Sequence, residues 1–346
     1  MRRAFVPMAL VFCVLAACSP DAGDILMPAG DIRPPAILEA GQRSPGTFSV
    51  LFDEDISPVG ERYAFDPGGI TATPRADGSA LEVSLEPPVG AGIPCSLCGE
   101  ARDASGNVTR FLFSFVGYNE RPASLRVNEV QTGKNSSASN PHRDYIEFLA
   151  EEGGDLGGVF VQWSSTAKLA SYTFPPCEVR KGAVIVLHYA PEGLAEEIDE
   201  TGANLGASGG VDASASGRDF WTQAGGIPDE TGIIAVRGRE ADPPADGLFY
   251  VASTKTGAID SARLLAVFAE LSDAGLWAGS SPPAWEDGFA WKSSPSRPLH
   301  RMGGACQGKE GWYVGESGTQ SPGLAGAGAP KSKTAPGKLK KGAAKG

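Results

Sequence analysis

Between Ser124 and Leu187 the chain repeats one unit, an apolar run of five to seven residues followed by a turn. Ser124-Leu-Arg-Val-Asn-Glu-Val130 opens the series. At the two-residue period of a strand, Leu125, Val127 and the stem of Glu129 share one side, and Arg126, Asn128 and Val130 the other. A polar loop over residues 131–143 leads to Asp144-Tyr-Ile-Glu-Phe-Leu-Ala150, where Tyr145, Glu147 and Leu149 oppose Ile146 and Phe148. Asp155-Leu-Gly-Gly158 turns the chain into Val159-Phe-Val-Gln-Trp163, and Tyr172-Thr-Phe-Pro-Pro176 and Ala183-Val-Ile-Val-Leu187 follow. Short strands with turn signals at this spacing specify a β-sandwich. With 46 glycines and 27 prolines in 346 residues and little helical periodicity, the rest of the chain reads as turn-rich β structure too.

Four pieces of this region resemble the lamin tail domain, an immunoglobulin-like sandwich. They are Val127-Asn-Glu-Val130, Asp144-Tyr-Ile-Glu-Phe148, Asp155-Leu-Gly-Gly158, and Phe174-Pro175 ahead of Ala183-Val-Ile-Val-Leu187. Leu299-His-Arg301, Trp312 and Ser321-Pro-Gly323 are similar to the stretch with which members of that family close. The resemblance spans residues 123–325 and implies a fold and a binding or scaffolding habit, with no catalytic residues to transfer. Within it, residues 190–226 break the strand pattern and are expected to form a long, partly ordered excursion. Gly232-Ile-Ile-Ala-Val-Arg237 and Leu248-Phe-Tyr-Val-Ala252 resume the sheet. The one helical pattern covers residues 259–274, with Ile259, Ala262, Leu264, Leu265, Phe268 and Leu271 on one face and Gly275 as its C-terminal cap. It reads as a helix packed over a sheet edge or, alternatively, as a partner-binding helix.

Residues 36–117 form a separate, smaller β domain, with strands at Gly46-Thr-Phe-Ser-Val-Leu-Phe52, Gly69-Ile-Thr-Ala-Thr-Pro74, Ala80-Leu-Glu-Val-Ser-Leu85 and Phe111-Leu-Phe-Ser-Phe115. The strand running into acidic Asp53-Glu-Asp55, together with the turn Arg102-Asp-Ala-Ser-Gly-Asn107, resembles the bacterial immunoglobulin-like modules of surface proteins. Asp53, Asp55, Asp103 and Asn107 are the residue types that collect calcium, and also those that turns use for their own backbone. The fold class is therefore all-β: two tandem immunoglobulin-like β-sandwiches, the second lamin-tail-like with an inserted loop region and one helix.

The two ends suggest an address. Met1-Arg-Arg3 precedes an apolar stretch, residues 4–17, too short to span a bilayer. Its end, Leu15-Ala-Ala-Cys18, resembles the lipobox of bacterial lipoproteins. That resemblance implies a signal peptide over residues 1–17, lipidation of Cys18, and membrane anchoring through acyl chains whose buried methylenes contribute about 0.8 kcal/mol each. By resemblance to enterobacterial sorting, Ser19 favours the outer membrane. Residues 18–35 are then a tether. Residues 326–346 hold six lysines and no acid among Gly, Ala and Pro, and are expected to be disordered, either a solvating tail or an electrostatic arm. The chain carries a net −11; Arg2 and Arg3 hold two positive charges and the tail six, so the body between carries about −19. No nucleic acid is expected on so acidic a body.

Cys95 and Cys98 form a C-x-x-C, open to three readings: buried thiols, a disulfide across a bulge, or a functional pair. No second pair or suitable histidines complete a zinc site, and no cofactor is expected. Cys177 and Cys306 could bridge in an oxidising compartment. Trp277, Trp285 and Trp291 are candidates for stacking on a glycan or peptide, against the alternative of core packing. Asn128, Glu129 and Asp144, near strand ends, are candidate binding residues. With Glu147 and His142 they are also the raw material for a metal-assisted hydrolase, although no motif defines such a geometry. The expectation is a lipid-anchored envelope protein with a binding or scaffolding role toward protein or glycan and no catalysis. A periplasmic or surface hydrolase and a host-facing adhesin are the alternatives. Oligomeric state is not legible.

Overall fold

The computed structural model describes residues 31–133, 142–292, 294–303 and 307–324. Cys18, the Lys-rich residues 331–345 and Cys306 lie outside that set, so the expectations placed on them have no structural account. The first module contains β1 (Ile37–Ser44), β2 (Thr47–Phe52), β3 (Ser57–Pro58), β4 (Ala64–Asp66), β5 (Thr71–Asp77), β6 (Ala80–Glu86), β7 (Pro94–Arg102) and β8 (Val108–Val116). One sheet runs β1-β2-β6-β5; in the other, β7 pairs with β3 and β4 and with β8. Strict alternation drives the packing: in β6, Leu81, Val83 and Leu85 are buried and their neighbours exposed. Together with Phe48, Val50 and Phe52 of the neighbouring β2, these close on Leu97 and Phe111 from the facing sheet. Cys95 and Cys98 sit in β7 opposite Phe115 and Leu112. Three residues apart on a regular strand, they face opposite sides, and both are free thiols, as is Cys177.

The second module adds β9 (Ser124–Gln131), β10 (Tyr145–Glu152), β11 (Gly154–Asp155), β12 (Phe160–Ser164), β13 (Leu169–Thr173), β14 (Glu178–Val179) and β15 (Val184–Tyr189). Then come β16 (Arg218–Thr222), β17 (Gly232–Arg237), β18 (Asp246–Ala252), α1 (Ala262–Asp273), β19 (Phe289–Trp291), β20 (Leu299–Arg301) and β21 (Trp312–Val314). A six-stranded sheet, β16-β15-β10-β9-β20-β21, packs on a five-stranded one, β13-β12-β17-β18-β19. Between them lie Leu125, Val127, Ile146, Phe148, Trp163, Phe174, Ile185 and Phe220.

Both sheets of this module are covered on their outer faces as well. Every residue of β17 and β18 is buried, because α1 lies across the five-stranded sheet rather than over its edge. A Cβ on Gly247 would meet Leu271 at 2.6 Å, and Phe268 packs edge-on to Phe249 with ring centroids 5.6 Å apart. Ser261 caps the helix through Leu264 N–H, and Gly275 at φ +71° ends it. The excursion of residues 190–226 is more ordered than its composition indicates. It ends in β16, which pairs parallel with β15, and the buried Glu200 carboxylate gathers it by accepting from the N–H groups of Ala207, Ser208 and Asp219.

The modules meet in a packed joint. A Cβ on Gly92, at φ +71°, would sit 2.5 Å from Gly157 Cα, so the two backbones touch there and only glycine fits. Buried Asn119 donates to the carbonyls of Asp155 (2.9 Å) and Gly157 (2.7 Å). Arg239 stacks over Tyr118 at 4.4 Å and donates to the Asn119 carbonyl.

Candidate functional site

A β-bulge builds the site. The register of β9 on β10 runs Glu129↔Glu147 and then Val127↔Phe148, leaving Asn128 as an extra residue. Simple alternation placed Glu129 on the side of Leu125 and Val127. The bulge reverses this: Val130 joins Val127 in the core, and Glu129 turns onto the outer face of the six-stranded sheet. The physical reason is the cost of an ionisable group among Leu125, Phe148 and Val127, which the bulge avoids.

On that outer face the strand register lines up ionisable residues. Reading across the sheet, Tyr313 pairs with His300, His300 with Glu129, Glu129 with Glu147, Glu147 with Val186, and Val186 with Asp219. The next row holds Gln131, Tyr145, His188 and Trp221. Glu129, Glu147, Tyr145, His188 and Asp219 are fully buried, because residues 210–217 and a strap at residues 319–324 lie over them. The strap is clamped between sheet and excursion: a Cβ on Gly217 would stand 2.6 Å from Gly323 Cα.

The two acids hold the strap. Glu129 accepts from Ser321 N–H (3.1 Å), Ser321 Oγ (2.6 Å) and the Tyr145 hydroxyl. Glu147 accepts from Gly323 N–H (2.8 Å) and Asn128 Nδ2 (2.6 Å). Among the described residues no lysine or arginine pairs with either carboxyl. Burial, with the Glu129 charge second, pushes Glu147 up to about 8, and burial raises Glu129 as well. His300 Nδ1 lies 3.4 Å from Glu129 Oε2, but burial lowers the imidazole to about 4, so it faces the acid as a neutral ring at pH 7. His188 Nε2 bonds Asp219 Oδ1 at 2.8 Å and stacks on Trp221 at 4.3 Å; His142 Nδ1 bonds Asp212 Oδ1 at 2.7 Å.

Of the residues singled out in the sequence, Asn128 and Glu129 belong to this network. Asp144 does not: its carboxylate turns to the sheet end and accepts from Ile227 N–H at 2.9 Å, where burial and then Asp229 raise it to about 6. Trp277, Trp285 and Trp291 lie in the core, 2%, 5% and 1% exposed, so none offers a free ring face to solvent. Trp277 Nε1 donates to the Asp287 carbonyl, and Lys255 covers the Trp285 ring. Tyr145, His300, Asp212 and Ser321 acquire a place in the site only through strand register and the strap, which no local pattern reveals.

Among the described residues, one trio places three ligand atoms within 4.8 Å of one another: Asp31, Glu54 and Asp103, in the first module. Asp103 also accepts from the backbone and side-chain N–H groups of Asn107 (2.8 and 2.6 Å), while Asp53 accepts from Ala36 N–H. At the module joint an open cleft of about 510 Å³ is lined by Gln42, Arg43, Tyr118, Gly158, Arg239 and Asp242. No helix among the described residues is long and apolar enough to cross a membrane.

Fold and site together define a two-module β protein whose second sandwich carries a buried, strap-covered carboxyl pair. Residues 123–314 match the family model TP_1001_2nd, described as a protein second domain, and the chain belongs to that family. Over 133 residues it is 33% identical to an uncharacterized protein of Treponema pallidum (strain Nichols). That match covers 38% of this chain and 32% of the relative, so the shared stretch spans about a third of the relative's length.

Proposed function

We propose that this protein is a lipid-anchored envelope scaffold, its second module of the lamin-tail type, which holds a protein or glycan partner at the joint between its two sandwiches. The observation that carries the reading is the locked joint. Gly92 against Gly157 joins the modules directly, and Asn119 and Tyr118 of the connecting segment are tied to Asp155, Gly157 and Arg239 of the second module. A fixed joint keeps the cleft beside it in one shape, which is what a binding surface on a rigid support requires. The acids of the second module spend their acceptor capacity on their own chain, which favours a structural over a catalytic use of Glu129 and Glu147. Leu15-Ala-Ala-Cys18 supports the anchor, and Ser19 the outer membrane.

Two measurements test this. Cys18→Ser should move the protein from the membrane fraction to the soluble one; unchanged partitioning removes the anchor. A photo-crosslinking residue at exposed Glu240, on the cleft rim, should capture envelope partners on intact cells. The same group at exposed Thr73, on the far edge of the first module, should not. Equal capture at both positions, or none at either, removes the cleft as the binding surface.

A further inference from the structure

We propose that the Glu129–Glu147 pair is a proton-held latch: one proton on the pair keeps residues 319–324 seated, and its loss frees the strap and uncovers the outer face of the six-stranded sheet. The inference stands apart from the envelope reading and would hold in any compartment.

The geometry is specific. Glu129 and Glu147 are direct cross-strand neighbours, a distance at which like charges repel. Both are fully buried, and neither has a cation beside it among the described residues. Among the described residues the groups facing them are neutral or negative: Asn128 from β9, Tyr145 from β10, His300 from β20, Tyr313 from β21, Asp212 from the excursion and Ser321 from the strap. Two ionised carboxyls in that setting have only hydrogen-bond donors to compensate them, so a proton is the available counter-charge. The rise of Glu147 toward 8 agrees with this.

What the pair holds is a six-residue segment whose polar ties to the sheet run mainly through these two acids, with the Leu324 backbone also bonding Glu147 and Gly323 packing against Gly217 of the excursion. Ser321 N–H and Oγ reach Glu129, and Gly323 N–H reaches Glu147. Beyond these, Gln320 Nε2 donates to the Pro295 carbonyl and Thr319 Oγ1 to that of Glu316. Leu324 at the end of the strap is half exposed. The strap is thus an element that can lift while both sheets stay paired, the behaviour of a low-stability local unit. When it lifts, water reaches Glu147 and the proton leaves at an ordinary carboxyl pH. Opening is therefore linked to deprotonation: the strap is most firmly seated at low pH, loosens as pH rises from about 4.5 to about 8, and changes little above that.

The test is amide hydrogen exchange of the full chain, resolved at Ser321 and Gly323 and expressed as protection relative to intrinsic rates. Amides of β17 serve as the control for global opening. Protection of the two strap amides should fall by at least about tenfold between pH 5 and pH 8, since one pKa unit corresponds to a tenfold change, while β17 holds its own. Glu147→Gln should flatten that dependence. Ser321→Ala, which leaves both acids in place and removes one strap bond, should lower strap protection at every pH while keeping the slope. Strap protection independent of pH, or a strap that opens only together with β17, overturns the latch.

Discussion

Glu147→Gln also has a consequence for global stability that can be worked out in advance. The carboxyl titrates at about 8 in the folded protein against an ordinary 4.5. The gap of about 3.5 units, at about 1.36 kcal/mol per unit, sets a ceiling near 5 kcal/mol, which lifting of the strap in the folded protein trims to about 2–4 kcal/mol. Below about pH 4.5 both folded and unfolded chains hold the proton, and Glu147 contributes nothing to the pH dependence. Between about 4.5 and 8 the unfolded chain has released it and the folded chain has not, so stability declines as pH rises; above about 8 the decline stops. Glutamine removes this dependence, but its amide N–H₂ must face either the Asn128 or the Gly323 donor, at a cost of about 1–2 kcal/mol. The variant should therefore be the less stable protein near pH 5 and the more stable one near pH 8, with the two curves crossing between. Urea denaturation followed by tryptophan fluorescence at intervals across that range reads the crossing directly. Parallel curves would mean that Glu147 is ionised in the folded state, and would refute the reasoning.

Asp144, held near 6 by burial and by Asp229, predicts a weaker decline in stability from about pH 4 to 6 that Asp144→Asn abolishes, measurable in the same titration. Trp291→Ala removes a 1%-exposed ring packed edge-on against Tyr250 at 5.5 Å, and should cost about 3–5 kcal/mol in urea unfolding; a loss below about 1 kcal/mol would place the ring outside the core. Gly92→Val puts side-chain atoms where Gly157 now lies, at a φ of +71° that valine resists. It should loosen the joint, seen as a larger radius of gyration by small-angle scattering with each module's own circular dichroism intact; an unchanged radius would show that the joint does not depend on that contact.

How much of this was legible without coordinates depends on the range over which each feature is determined. Alternation in Ala80-Leu-Glu-Val-Ser-Leu85 and in Tyr145-Ile-Glu-Phe148 is local, and the strands follow it residue for residue. The helix over residues 262–273 and its capping glycine are local too. The bulge at Asn128 is not: a strand of alternating pattern gives no sign that a residue has been added, and one extra residue carries Glu129 from one face to the other. The excursion illustrates the same limit. Its glycine- and serine-rich composition argues for loose chain, yet two acids far apart in sequence, Glu200 and Asp219, collect its backbone N–H groups and pin it over the sheet. The carboxyl row itself needs register from five strand pairs to appear, and the strap that covers it returns from 192 positions away to reach Glu129. It follows that residue type alone is the wrong scale at which to seek the site, since it marks Glu129 together with Asp144 and three core tryptophans that lie outside it. Side chains of this kind acquire a role only through what faces them, and here a C-terminal strap facing two neighbouring carboxyls turns ordinary strand residues into a linked unit.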